Sequence, residues 1–184
     1  EYSWQDEEWV QTNEVRYVYE GRLVIQERNE NNQPTVSYAR GSDLSGTLQG
    51  AGGIGGMLAR YEHSLGLVAY YHADGGGNIT TLVDLGGSIV ARYLYDPFGR
   101  ELARSGSQSD ANLYRYASKE KHHNSDSLYY LYRYYIPEIQ RWLNRDPIHE
   151  KGGLNLYTFA FNSPNNMVDF WGLQSAATIP CGPR

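Results

Sequence analysis

Short β-forming runs separated by turn residues at near-regular intervals constrain this chain more than any other feature. Residues 15–19 and 22–27 flank Glu20-Gly21, the pattern of a tight hairpin, and lead into a polar turn around 29–33. Pro34 opens a third strand over 35–40. Pairing resumes with 67–72, the Asp74-Gly-Gly-Gly77 turn, 78–84, the Gly86-Gly87 turn and 88–95. Asp96-Pro-Phe-Gly99 makes the next turn, with proline presetting φ at its second position, and 100–104 continues before a polar loop over 105–110. One hairpin per roughly 20–25 residues is the spacing of a repeat architecture. Between the third strand and the next hairpin, residues 41–56 carry too many glycines for a regular element and read as a long, tightly folded connection. That stretch lacks the Gly-Lys-Ser/Thr ending of a phosphate loop, so its glycines are assigned to backbone packing and left-handed turns.

Composition agrees with strands. The 17 tyrosines and 20 glycines stand against 2 methionines, and 40% apolar content in 184 residues suffices for one domain with a core. A net charge of -5, with 16 basic residues scattered along the chain, leaves no basic stripe for a nucleic-acid backbone. No apolar run approaches the roughly 18 residues of a bilayer span, and no signal-peptide pattern opens the chain. Beginning at Glu1, the chain reads as a piece of a longer protein. Cys181 alone makes neither a disulfide nor a metal cluster. His122 and His123 would face opposite ways on a strand with no third ligand near, and His63 and His72 stand apart from any nucleophile motif. The expectation is therefore no cofactor and no metal.

Two stretches share a loose pattern, Tyr19-Glu-Gly-Arg-Leu23 and Tyr95-Asp-Pro-Phe-Gly-Arg-Glu-Leu102. The pattern resembles the YD repeat of RHS proteins, a group that includes bacterial polymorphic toxins, toxin-complex C subunits and, more distantly, teneurins. A stronger resemblance covers residues 112–173. Arg133-Tyr-Tyr-Ile-Pro-Glu-Ile-Gln-Arg-Trp142, Arg145-Asp-Pro-Ile148, Gly152-Gly-Leu-Asn-Leu-Tyr157, Asn165-Asn166 and Asp169-Phe-Trp-Gly-Leu173 are similar to the RHS-associated core in order and spacing. Departures occur at Ile136-Pro-Glu-Ile-Gln140, which lacks the family's aspartate and glycine, at His149-Glu150, where a glycine turn is usual, and at Phe170, where proline is usual.

The resemblance implies an all-β fold of successive antiparallel hairpins in a spiralling YD-repeat shell, ending in an irregular C-terminal plug. It divides the chain into a hairpin shell segment over 1–110, the core and plug over 111–173, and a short tail over 174–184. It also implies a structural role, encapsulation of a C-terminal toxin, with partners in the remaining repeats of the same chain or in copies of it. The setting implied is secreted or cell-surface, and bacterial. In such plugs the chain is cut after the final leucine in a single-turnover, aspartyl-protease-like step. Carried over, the pair is Asp146 and Asp169, and the bond is Leu173–Gln174. Two carboxylates held close together cannot both ionise comfortably, so one keeps a proton while the other activates water. Arg145 is the candidate to hold one carboxylate ionised or to polarise the carbonyl.

Structural readings stand beside these roles. An aspartate before proline is a common turn starter, and Asp169 can cap a turn before Phe170-Trp171-Gly172. The alternating tyrosines of 129–135 read as lining the inner and outer faces of the shell, ahead of a stacking platform for sugars or bases. The alternative function is a non-catalytic, self-assembling surface or filament protein built from the same hairpins. The 11 residues after Leu173 are too few for a folded toxin, which favours that alternative.

Overall fold

The computed structural model describes residues 2–5, 8–11, 14–122, 124–173 and 175–177, and among them there is no α-helix. No helix of the described residues is long and apolar enough to cross a membrane. Strands β1 (Tyr2–Gln5) and β2 (Glu8–Gln11) pair with each other. The next eight form one antiparallel sheet in strict chain order. They are β3 (Arg16–Glu20), β4 (Leu23–Arg28), β5 (Pro34–Arg40), β6 (Met57–Glu62), β7 (Leu67–Ala73), β8 (Ile79–Asp84), β9 (Ile89–Tyr95) and β10 (Glu101–Ser105). Every strand therefore pairs with its neighbours in sequence, as successive hairpins require.

One turn chemistry closes four of these hairpins. At Asn29, Asp74, Asp84 and Asp96 the side-chain Oδ1 accepts the N–H four residues on, from Gln33, Asn78, Ser88 and Arg100, at 2.8–3.0 Å. In each turn the residue three places on is left-handed: Asn32 at φ 60°, Gly77 at 78°, Gly87 at 82° and Gly99 at 85°. Its N–H bonds back to the Asx carbonyl at 2.9–3.1 Å. An Asx side chain thus replaces a missing ladder partner, and glycine takes the φ that other residues reach only at a cost. The Asp…Gly-Arg pattern seen in the sequence is this turn.

Alternation along the strands places one face of the sheet inside. Val24, Tyr38, Met57, Ala69, Tyr71, Ile79, Leu82, Ala91 and Tyr93 form a core with Tyr114, while Tyr61, Tyr70 and Leu94 lie on the exposed face. Strand β6 was not anticipated. Met-Leu-Ala-Arg-Tyr-Glu has no β-branched residue and follows the glycine run, so only its pairing to β5 and β7 makes it a strand. The connection over 41–56 is folded tightly around the buried Asp43 carboxylate, which accepts the N–H groups of Ser45, Ala51 and Gly53 at 2.9, 2.7 and 3.1 Å.

The C-terminal part is a plug of short pieces. Strands β11 (Glu120–Lys121), β12 (Leu128–Tyr129), β13 (Tyr134–Ile136) and β14 (Arg141–Trp142) form a small sheet, and β15 (Met167–Asp169) pairs with β16 (Ser175–Ala177). Turns of 3-10 helix at Tyr116–Ser118, Pro137–Ile139, His149–Gly152 and Ala160–Asn162 join them. The tyrosine stripe is a hairpin and not one strand: Tyr129 pairs with Tyr134, and residues 130–133 turn between them. Its bend sends Tyr130 and Tyr135 into an aromatic core with Trp142 and Phe159, where the Tyr135 and Phe159 rings stack at 3.9 Å.

Candidate functional site

Asp146 and Asp169 meet in the plug, and Arg133 brings them together. Arg133 is the last residue of the bend between β12 and β13, held by its carbonyl accepting the Tyr130 N–H at 3.0 Å. Asp146 follows β14, where its N–H bonds the Leu156 carbonyl at 3.1 Å and its Oδ1 accepts the Ile148 N–H at 2.9 Å. Asp169 ends β15. The Arg133 Nη2 lies 3.0 Å from Asp146 Oδ2 and 3.5 Å from Asp169 Oδ2. All three side chains are at most 5% exposed.

The same guanidinium reaches the chain beside the candidate bond. Its Nε donates to the Gly172 carbonyl and its Nη1 to the Leu156 carbonyl, and its Cζ lies 4.2 Å from the Trp142 ring centre. Burial pulls its pKa below the usual arginine value, and the two aspartates offset part of that pull. Asp169 uses its other oxygen as an acceptor for three successive N–H groups, Trp171 at 3.1, Gly172 at 2.6 and Leu173 at 3.1 Å. Burial nevertheless pushes the Asp169 carboxyl above the usual carboxylate range, against the pull of those N–H groups and of Arg133. Arg133 thus pairs with both carboxylates, at 3.0 Å with Asp146 and 3.5 Å with Asp169, while burial favours a proton on Asp169.

A cavity of about 150 Å³ adjoins the pair, lined by Arg133, both aspartates, Gly152 and Gly153, with Leu173 and Ser175 in its wall. Leu173 follows β15 and Ser175 opens β16, so the two residues flanking Gln174 in sequence both face the carboxylates. Gln174 itself, like His123, Cys181 and the rest of the tail after Ala177, lies outside the described residues. Arg145 is exposed and lines no part of this cavity; Arg133 stands where Arg145 was expected. A signal for Arg133 existed: a lone cation inside an aromatic run must find buried partners if the run is core.

Lys119 braces the site from behind. Fully buried, its Nζ donates to the carbonyls of Gly52 at 2.9 Å and Phe170 at 2.8 Å and lies 5.0 Å from the Tyr130 ring centre. Among the described residues no three His, Cys, Asp or Glu side chains converge as a metal site requires. His122 bonds Ser125 Oγ and His63 bonds Ser37 Oγ, each at 2.9 Å.

No protein-family model matches the chain. It is 26% identical over 176 residues to double-stranded DNA deaminase toxin A of Burkholderia cenocepacia, which is 91% of this chain and 12% of that protein. It is 31% identical over 106 residues to toxin protein Tse5 of Pseudomonas aeruginosa, 58% of this chain and 8% of that one. The crystal structure of TcdB2–TccC3 superposes with a TM-score of 0.68 at 23% identity, over 94% of this chain and 8% of that chain. The chain thus spans about a tenth of each of these three proteins.

Proposed function

As a homologue of the RHS-type polymorphic toxin proteins with the antiparallel β-shell fold of the toxin-complex chain, this chain, we propose, forms the closing wall and plug of such a shell, and its plug cuts its own backbone after Leu173. The shell is exported from a bacterium and encloses a toxin segment carried on the same polypeptide. Other repeats of that polypeptide, or further copies of this chain, cover the edge strands β3 and β10.

The observation that carries the cleavage is the convergence of Asp146, Asp169 and Arg133 on a buried cavity with Leu173 in its wall. Asp146, ion-paired to Arg133, takes a proton from a water molecule as the water oxygen bonds the Leu173 carbonyl carbon. Asp169, which burial keeps protonated to higher pH, supplies the proton that neutralises the carbonyl oxygen. Collapse of the tetrahedral intermediate breaks the carbon–nitrogen bond: the departing Gln174 nitrogen accepts the proton held by Asp146, and one hydroxyl of the intermediate returns its proton to Asp169 as the new carboxyl forms. Arg133 acts throughout as the fixed positive charge that keeps the two carboxyls close and holds the Gly172 carbonyl in register.

Intact mass of the freshly purified chain tests this. The expected product ends at Leu173, whereas Asp146→Asn and Asp169→Asn remain full length. A wild-type chain that keeps residues 174–184 overturns the self-cleavage reading and leaves the shell reading standing.

A further inference from the structure

Gly152 closes the 3-10 turn His149–Gly152 and has no evident reason of turn geometry to be glycine, since its φ is not left-handed. The reason lies across the cavity. A Cβ built on Gly152 collides with the Asp146 Oδ2 and comes to 3.0 Å from both Asp146 Cγ and the Leu173 carbonyl oxygen. The carboxylate and the carbonyl therefore both border the space beside the bare α-carbon of residue 152. The neighbouring glycine differs: Gly153 has φ 133°, and a Cβ there meets only the Phe161 ring, at 3.2 Å. Gly153 is glycine for its backbone and Gly152 for what its missing side chain leaves open.

We propose that Gly152 is a positioning residue of the self-cleavage. Its bare α-carbon forms the floor on which the Asp146 carboxylate faces the Leu173 carbonyl and admits the attacking water from the cavity. The inference rests on the cleavage reading above and deepens it. A methyl group at 152 displaces either the carboxylate, breaking its 3.0 Å ion pair to Arg133, or the carbonyl, and it fills the approach in both cases. Displacement on the order of 1 Å in such an arrangement costs roughly a hundredfold in rate.

The test compares the cleavage rates of wild type, Gly152→Ala and Gly153→Ala by intact mass over time, alongside their melting temperatures. The expected result is a drop of about a hundredfold or more for Gly152→Ala. Gly153→Ala, strained by its φ, loses melting temperature yet cleaves once folded. Gly152→Ala cleaving at the wild-type rate overturns the inference while leaving the self-cleavage intact. An uncleaved wild type overturns the self-cleavage itself, which is a different outcome.

Should Gly152→Ala fail to fold, Asp169→Asn with carbon-13 at the Leu carbonyls replaces it. In that uncleaved chain the Leu173 carbonyl signal is expected to move when Asp146→Asn is added, because the two groups border the same space beside Gly152. A Leu173 signal unmoved by Asp146→Asn overturns the inference.

Discussion

Lys119 Nζ donates a 2.8 Å hydrogen bond to the backbone carbonyl of Phe170, one residue after Asp169, and so fastens the segment that leads to Leu173 to the glycine-rich connection at Gly52. Burial pushes its pKa down to about 7, against the pull of Asp169 and Asp43. In the unfolded chain the amine binds its proton up to about pH 10. Between those values the unfolded state holds more protons, so this residue's contribution to stability rises with pH. Wild type should gain on Lys119→Met as pH goes from 7 to 9.5, by roughly 1 kcal/mol per pH unit in paired denaturant titrations. A constant difference between the two proteins argues against a depressed Lys119.

Asp169 titrates in the opposite sense. Its folded pKa lies above its unfolded value, so its contribution is fully present below about pH 4 and is lost as pH rises through the folded pKa. Melting curves should show wild type losing stability relative to Asp169→Asn across that interval. The cleavage rate should also fall as pH rises past the same titration, because the proton that Asp169 supplies is gone.

Arg133 and Arg145 separate cleanly by substitution. Arg133→Met leaves two buried carboxyls and the Gly172 carbonyl without their cation and should cost about 3–5 kcal/mol in denaturant unfolding. Arg145→Met, at an exposed position, should stay within about 0.5 kcal/mol and should leave cleavage unchanged. Equal effects from the two would contradict the assignment of Arg133 as the hub.

The hairpin turns carry a prediction of their own. Gly99 is left-handed at φ 85°, and a Cβ there meets the Tyr116 ring at 2.5 Å. Gly99→Ala combines backbone strain with overpacking and should destabilise by about 2–4 kcal/mol. Gly87→Ala, equally left-handed but with nothing within 4 Å, should lose only the backbone share, about 1–2 kcal/mol.

Tyr130 is almost wholly buried, and its hydroxyl has no hydrogen-bond partner. Tyr130→Phe removes a desolvated donor and keeps the ring contacts, so it should be neutral or stabilising by about 1 kcal/mol. A clear loss of melting temperature would mean that the hydroxyl has a partner in solution.

Three of the hairpins were legible because each is written in local chemistry: an aspartate, a glycine three places on, and alternating side chains in the strands they join. Where pairing alone decides, the residues were mute, as in β6, whose Met-Leu-Ala-Arg-Tyr-Glu run names no structure of its own. The stripe over 129–135 misled because its period suggested a strand, whereas burial of Tyr130 and Arg133 demands a bend between paired Tyr129 and Tyr134. Asp146 and Asp169 were accessible through their motifs. Their cation was missed, since proximity in sequence favoured Arg145 over the lone arginine inside the aromatic run, and the folded chain brings residue 133 beside both.

Strands β15 and β16 pair from Asp169 with Ser175 to Met167 with Ala177, so the bond after Leu173 lies in the link between them. Every fastening described above, from Lys119 on Phe170 to Arg133 on Gly172, lies upstream of that bond. Hydrolysis at the proposed bond then severs covalent continuity without unseating the plug. What stays attached does so through a ladder three residue pairs long, so detachment is a step with its own rate, separate from the proposed cut.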